Sequence, residues 1–243
     1  NGIDVDYFKK SLSLKNDANF FTRINKLNNV FKFIFVGRIV KDKGIEELIN
    51  AFVRLNKEIS NIRLLIVGRE ERSLDPISDN TRSILKNNKN IIELGYRKDI
   101  RKYLAASNCL VLPSYREGFP NVVLQADCMN LPSIVSNING CNEIITDRQN
   151  GLLVTPKKTE LLYLAMKKIV IDKKLYRSLK SSTRKNTVKK FNQKNFLKKI
   201  FFNYQNLSKQ IILLKKKFLI LGSLGSSLIN FRGELIKLLI KNG

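Results

Sequence analysis

The chain has 243 residues, 43% of them apolar, enough for one large domain or two small ones with a packed core. It carries 45 Lys and Arg against 20 Asp and Glu, and no histidine, so imidazole-based triads and acid/base schemes are excluded. Three cysteines, Cys109, Cys128 and Cys141, form no CxxC pair, which argues against a disulfide framework or a zinc site; they read as small buried residues in a reducing cytoplasm.

The chain opens on NGIDVDYF, with no signal-type apolar segment after Asn1, and a polar, Lys- and Asn-rich connection follows. A start inside a longer natural chain is expected. No run approaches the roughly 18 uninterrupted apolar residues of a membrane span. Phe31 to Val36 reads as a buried strand closed by Gly37, and Ile45, Leu48, Ile49, Phe52 and Leu55 then recur at helical spacing from about Gly44. Arg63 to Val67 with Gly68 repeats the pattern. A polar excursion, Arg69 to Lys89, follows, with turns at Pro76 and Asp79 before a short helix. Ile91 to Leu94 with Gly95 is the third strand, Asp99 to Ala106 a short helix, and Cys109 to Leu112 the fourth strand. Pro132 to Val135 and Gly151 to Val154 supply two more. Six short apolar runs alternating with helices predict a Rossmann-like, doubly wound parallel α/β sheet.

Strand ends in such a sheet collect ligands, so the loops carry the function. In VLPSYREGFPNVVLQAD the fourth strand runs through a turn holding Arg116 and Glu117 into a helix, with Pro120 placed as its first residue. Free amides at that helix start suit a phosphate; solvated turn residues capping a helix are the plainer alternative. After the first strand, GRIVKDKG places Arg38 and Lys43 at the same sheet edge, two cations suited to clamping a diphosphate. The spacing is not a Walker A, since no Lys-Ser/Thr pair follows. Gly95, Tyr96 and Arg97 put a glycine where backbone can approach a flat ring closely.

Positive charge gathers late. Residues 157–217 hold 19 Lys and Arg against Glu160 and Asp172, interleaved with Leu161, Leu164, Phe191, Phe196, Leu197, Ile200 and Phe201. Helices packing one side and presenting lysines on the other are expected, able to meet an anionic membrane; nucleic acid is less expected without a motif for it, and a merely solubilising surface stands beside both. Phe218 to Leu221, a Gly/Ser loop at 222–227 and Leu228, Leu235, Leu238 and Leu239 open a further β-loop-α unit, read either as the start of another domain or as a unit packed on the main sheet.

NGIDVDYF, FVGRIVKDKGIEELINAF, LLIVG, the block from LGYRKD to NVVLQA, and INGCNEIITDRQNGLLV together resemble the C-terminal half of a family 4 retaining glycosyltransferase of the GT-B fold. The resemblance runs in order from Asn1 to about Leu207. It implies a sugar-nucleotide-binding domain over residues 1–213, including C-terminal helices, with 214–243 resembling the start of another GT-B N-terminal domain. It implies that Arg38 and Lys43 hold a diphosphate and Glu117 meets donor-sugar hydroxyls. Amides around Asn121, Val122 and Val123 would cap the phosphate, and Gly37, Gly95 and Tyr96 would receive the nucleotide. No metal or cofactor is implied; the donor is a nucleotide-diphosphate sugar, a UDP-sugar for preference, and the acceptor lipid-linked or polysaccharide, at the inner face of the plasma membrane. The family's second acidic residue is replaced by Gln125, which would meet the ribose without a carboxylate's charge. Relatives tend to have glycine at Asp127 and Asn130; Asn tolerates a left-handed helix end, whereas Asp127 has no such explanation. The N-terminal acceptor domain of a GT-B enzyme is missing from these residues, so a non-catalytic nucleotide-sugar-binding fragment is the alternative.

Overall fold

The computed structural model describes residues 2–9, 30–73 and 75–211, with side chains to residue 203. The expected unit at 214–243 lies outside the described residues. Two compact units divide the chain, residues 5–190 and residues 1–4 with 191–243.

The larger unit is a six-stranded parallel sheet in the order β3-β2-β1-β4-β5-β6. Its strands are β1 (Phe31–Val36), β2 (Ile62–Val67), β3 (Ile91–Gly95), β4 (Cys109–Leu112), β5 (Ser133–Ser136) and β6 (Gly151–Val154). Strands covered on both faces have no polar side to show, which is why β4 and β5 are buried at every residue and β1 carries Phe33, Ile34 and Phe35 fully buried. The helices are α1 (Ile45–Glu58), α2 (Asp79–Asn87), α3 (Arg101–Ala106), α4 (Asn121–Cys128), α5 (Cys141–Ile144), α6 (Thr159–Ile171) and α7 (Lys173–Phe191). Strand order reverses between β1 and β4, and such a sheet opens its ligand crevice at the carboxyl ends of those two strands.

Helix limits follow local chemistry. Asp99 stands outside α3 and accepts the Arg101 amide, so the helix begins two residues later than its pattern predicts. Pro120 is the residue before α4, with ψ 97° and its carbonyl taking the Val123 amide at 3.0 Å, rather than its first helical residue. Asn130, at φ 56°, turns the chain out of α4 in the left-handed conformation that asparagine tolerates. Helix α6 packs on α1, where Tyr163 donates to Glu58 at 2.6 Å and Leu162, Met166 and Ile169 are buried. Leu161 and Leu164, expected on the packed side, face outward instead.

Asp127 is fully buried, accepting from Asn150 Nδ2 at 2.8 Å and Thr187 Oγ1 at 3.2 Å, and so ties α4 to the loop before β6 and to α7. Arg184, on α7, donates to the carbonyls of Val5, Phe8 and Cys128. In the smaller unit, Ile3 exchanges backbone bonds with Phe191 and Gln193, and α8 (Gln193–Ile211) follows. The three cysteines are buried, as expected.

Candidate functional site

The loops after β1 and β4 cross at the point where strand order reverses. Gly44, at φ 67°, sits so close to β4's exit that a Cβ there would lie 2.1 Å from the Pro113 carbonyl oxygen; only glycine fits either the space or the backbone. The Tyr115 amide donates to the Asp42 carbonyl at 2.8 Å, and the Tyr115 hydroxyl to Glu47 on α1 at 2.7 Å. Burial, and then the Glu47 carboxylate, hold that phenol well above its ordinary range, so it stays a donor. Arg116 is exposed and reaches back to Asp42 at 3.3 Å. These ties fix the short 3-10 turn Lys41–Lys43 against the β4 loop.

The result is an ion pair. Lys43 Nζ donates to Glu117 Oε1 at 2.7 Å, with the two side chains only 16% and 14% exposed. The Glu117–Gly118 turn rests on Gly140, whose φ is 81° and whose missing Cβ would come within 2.3 Å of the Gly118 carbonyl oxygen. Cys141 lies beneath: burial, and then the Glu117 carboxylate, push its thiol up to about 12 against the opposing pull of Lys43. The thiol therefore stays protonated and unreactive at neutral pH.

At the start of α4 the amides of Asn121 and Val122 donate to no group among the described residues, whereas Val123's is taken by Pro120. Two of the three expected amides are therefore open to an anion. Gln125, half-buried, lies one turn along the same helix line as Asn121.

Arg38 does not join Lys43. It donates to Glu71 at 3.0 Å and, with Gly37 and Tyr96, lines a cavity of about 510 Å³ at the carboxyl ends of β1, β2 and β3. Val36, Val67 and Ile100 supply its apolar lining; Arg69 and Arg97 add positive charge, the Arg69 guanidinium lying 5.9 Å from the Tyr96 ring centre. Gly68 is needed here because a Cβ would meet the Gly37 carbonyl oxygen at 1.8 Å. Gly95 has open space around it; its glycine answers to a left-handed φ of 66° rather than to a close approach.

The loops thus divide the expected residues into two adjoining groups, a tight Lys43–Glu117 pair by open amides and a roomier cavity holding Gly37, Arg38 and Tyr96. Sequence reasoning missed Asp42, which anchors Tyr115 and Arg116, and Glu71, hidden in a polar stretch read as surface. The chemistry fits a ligand with an anionic centre and a flat, partly apolar end. Among the described residues no cluster of potential metal ligands occurs, and no helix is long and apolar enough to cross a membrane.

CapM, a capsular polysaccharide biosynthesis glycosyltransferase of Staphylococcus aureus, is 28% identical over 184 residues, 76% of this chain and 48% of CapM. The UDP-Gal:alpha-D-GlcNAc-diphosphoundecaprenol alpha-1,3-galactosyltransferase of Escherichia coli is 32% identical over 178 residues, 72% of this chain and 45% of that enzyme. The chain thus spans about half the length of these curated relatives. In fold it is similar to the C-terminal domain of a glycosyl transferase group 1 family protein, LpcC, from Francisella tularensis, with a TM-score of 0.67 at 24% identity, covering 79% of this chain and 99% of that domain. The sequence pattern of the family described as Glycosyl transferases group 1 matches residues 16–186, a stretch that contains both loops and all the strands, and the chain belongs to that family.

Proposed function

We propose that this chain is the donor-binding, C-terminal half of a family 4, retaining GT-B glycosyltransferase that takes a nucleotide-diphosphate sugar. The observation that carries the reading is the Lys43–Glu117 pair beside the open Asn121 and Val122 amides. A diphosphate entering there gains one cation and two amide donors at a helix start, and its charge competes with Glu117 for Lys43. Glu117, released, accepts from hydroxyls of the sugar. The nucleoside extends toward the cavity of Gly37, Arg38 and Tyr96, past Gly95, with Gln125 against the ribose. UDP is the expected nucleotide, as in the name of the E. coli relative.

In transfer, the bond from the sugar's anomeric carbon to the phosphate oxygen breaks while one to the acceptor hydroxyl oxygen forms. The proton of that hydroxyl passes to the departing phosphate. Lys43 and the two amides offset the charge that develops on the leaving group. The acceptor is a lipid-linked or polysaccharide chain met at the inner face of the plasma membrane.

Calorimetric titration with UDP, UDP-sugars and GDP is the test. Saturable binding of a UDP-sugar supports the reading; salt-steep DNA binding without a nucleotide signal overturns it. The isolated chain should bind donor yet transfer no sugar at an enzyme-like rate, because holding an acceptor in register is worth roughly 7 to 11 kcal/mol and needs a second domain. Robust transfer by the isolated chain to a lipid-linked acceptor extract would show that the acceptor site lies within these residues.

A further inference from the structure

Helix α6 is apolar on two opposite sides. Leu162, Tyr163, Met166 and Ile169 are buried toward the sheet, and the opposite line runs Leu161, Leu164, Lys168, Ile171. Its three aliphatic side chains are 43%, 47% and 61% exposed. The neighbouring helix α1 shows what an ordinary outward line in this chain looks like, for it presents Asn50, Arg54, Lys57 and Glu58. A helix with a second apolar line has something to cover it.

The surrounding charge identifies the cover. Lys158 stands exposed just before α6, Lys168 within its outward line, and Lys173 and Lys174 just beyond its end. The two acids of the region are engaged, Glu160 with Arg54 and Asp172 with the Leu175 amide at the start of α7. From residue 157 to 190 there are 12 Lys and Arg and no other acid. Lysine is depleted in protein–protein interfaces, where its hydrated ammonium must be stripped, whereas an anionic lipid surface leaves it hydrated and attracts it. Aliphatic side chains on a helix lying in the plane, with lysines at its ends and among them, make a membrane-surface helix.

We infer that the outward line of α6 docks this domain on an anionic bilayer, Leu161, Leu164 and Ile171 entering the headgroup layer while Lys158, Lys168, Lys173 and Lys174 meet lipid phosphates. This surface is separate from the loops assigned to the donor and does not depend on that assignment.

The test is sedimentation of the full chain with vesicles of phosphatidylcholine alone or of an equimolar mixture with phosphatidylglycerol. Binding to the mixed vesicles only is expected. The double variant Leu164→Gln, Ile171→Gln should bind them roughly tenfold more weakly, since two partly buried aliphatic contacts are lost. Both positions are exposed, so its melting temperature and its UDP titration should match the parent's. Equal vesicle binding by parent and variant overturns the proposal, as does equal binding of the parent to both vesicle types. A parent that self-associates in ultracentrifugation, with the variant monomeric and vesicle binding unchanged, would assign the line to a second copy of the chain instead.

Discussion

Two ion pairs flank the point where strand order reverses, and their surroundings differ. Lys43 and Glu117 meet at 2.7 Å with 16% and 14% exposure, on loops locked by Gly44 and Gly140; Arg38 and Glu71 meet at 3.0 Å with 50% and 30% exposure, on a cavity wall. Water screens the second pair and can replace either partner, so it contributes little and is free to rearrange. The first is shielded, and an anion that enters must take Lys43 from Glu117 directly. One side of the site is therefore held ready for a phosphate, and the other adapts to what is attached to it.

The largest expected effect comes from breaking the lock. Gly44→Ala sets a Cβ 2.1 Å from the Pro113 carbonyl oxygen at φ 67°, so the loops after β1 and β4 must separate. A loss of at least about 3 kcal/mol of stability is expected, from a clash with backbone added to left-handed strain. Chemical denaturation measures it; a stability within about 1 kcal/mol of the parent, the cost of an ordinary single substitution, would show that the crossing is loose.

Near the far end of α4 from its open amides lies Asp127, and it supplies a pH signature. Burial pushes its carboxyl up to about 8, against hydrogen bonds from Asn150 and Thr187 that favour the charged form. One carboxyl oxygen, Oδ1, is buried with no hydrogen-bond partner among the described residues. The folded chain then holds a proton that the unfolded chain releases near pH 4, so this group lowers stability as pH rises from about 4 to about 8, by up to about 1.4 kcal/mol per unit, with no further change above. With no histidine in the chain, the slope stands clear of the usual imidazole background. Asp127→Asn should flatten it between pH 5 and 7. An unchanged slope, followed by denaturant midpoints, would mean that Asp127 is ionised throughout.

What could be read ahead of the structure follows from range. Phe31–Val36, Cys109–Leu112 and Gly151–Val154 fall where their apolar runs place them, because parallel strands buried on both faces leave an unbroken local signal. Asn130 could be read from its own backbone tolerance. Lys43 and Glu117, 74 residues apart, could be put at one sheet edge from the strand pattern, but no local pattern joins them as a pair. The pairing of Arg38 with Glu71 could not be read ahead, because Glu71 sits 33 residues on, in a stretch with no periodicity. The packed side of α6 was expected at Leu161 and Leu164 and lies opposite, as Leu161, Leu162, Tyr163 and Leu164 are apolar at every phase and only docking on α1 decides. Asp127 made sense once Asn150 and Thr187, 23 and 60 residues away, stood beside it.

Lys43→Ala should weaken UDP binding by about 1.5 to 3 kcal/mol, because it removes a charged donor and leaves Glu117 facing the diphosphate. Glu117→Ala frees Lys43, so UDP should bind at least as strongly as to the parent, while the preference for UDP-sugar over UDP falls. The pair is coupled, so the double variant should lose less UDP affinity than Lys43→Ala alone. Equal losses of UDP and UDP-sugar on Glu117→Ala would remove its assignment to the sugar.

Arg38→Ala should have the smallest effect. Its guanidinium is half exposed and already paired with Glu71, so an exposed contact of about 0.2 to 1 kcal/mol is all it has to exchange for a ligand. UDP affinity should fall by about fivefold at most, and raised salt should shrink the difference further. Glu71→Ala, which frees Arg38, should strengthen UDP binding by a similar factor. A loss on Arg38→Ala equal to that of Lys43→Ala would mean that Arg38 leaves Glu71 to clamp the diphosphate with Lys43. The two sides of the site would then act as one clamp closing on the ligand, and the division between a ready half and an adaptable half would hold only in the free protein.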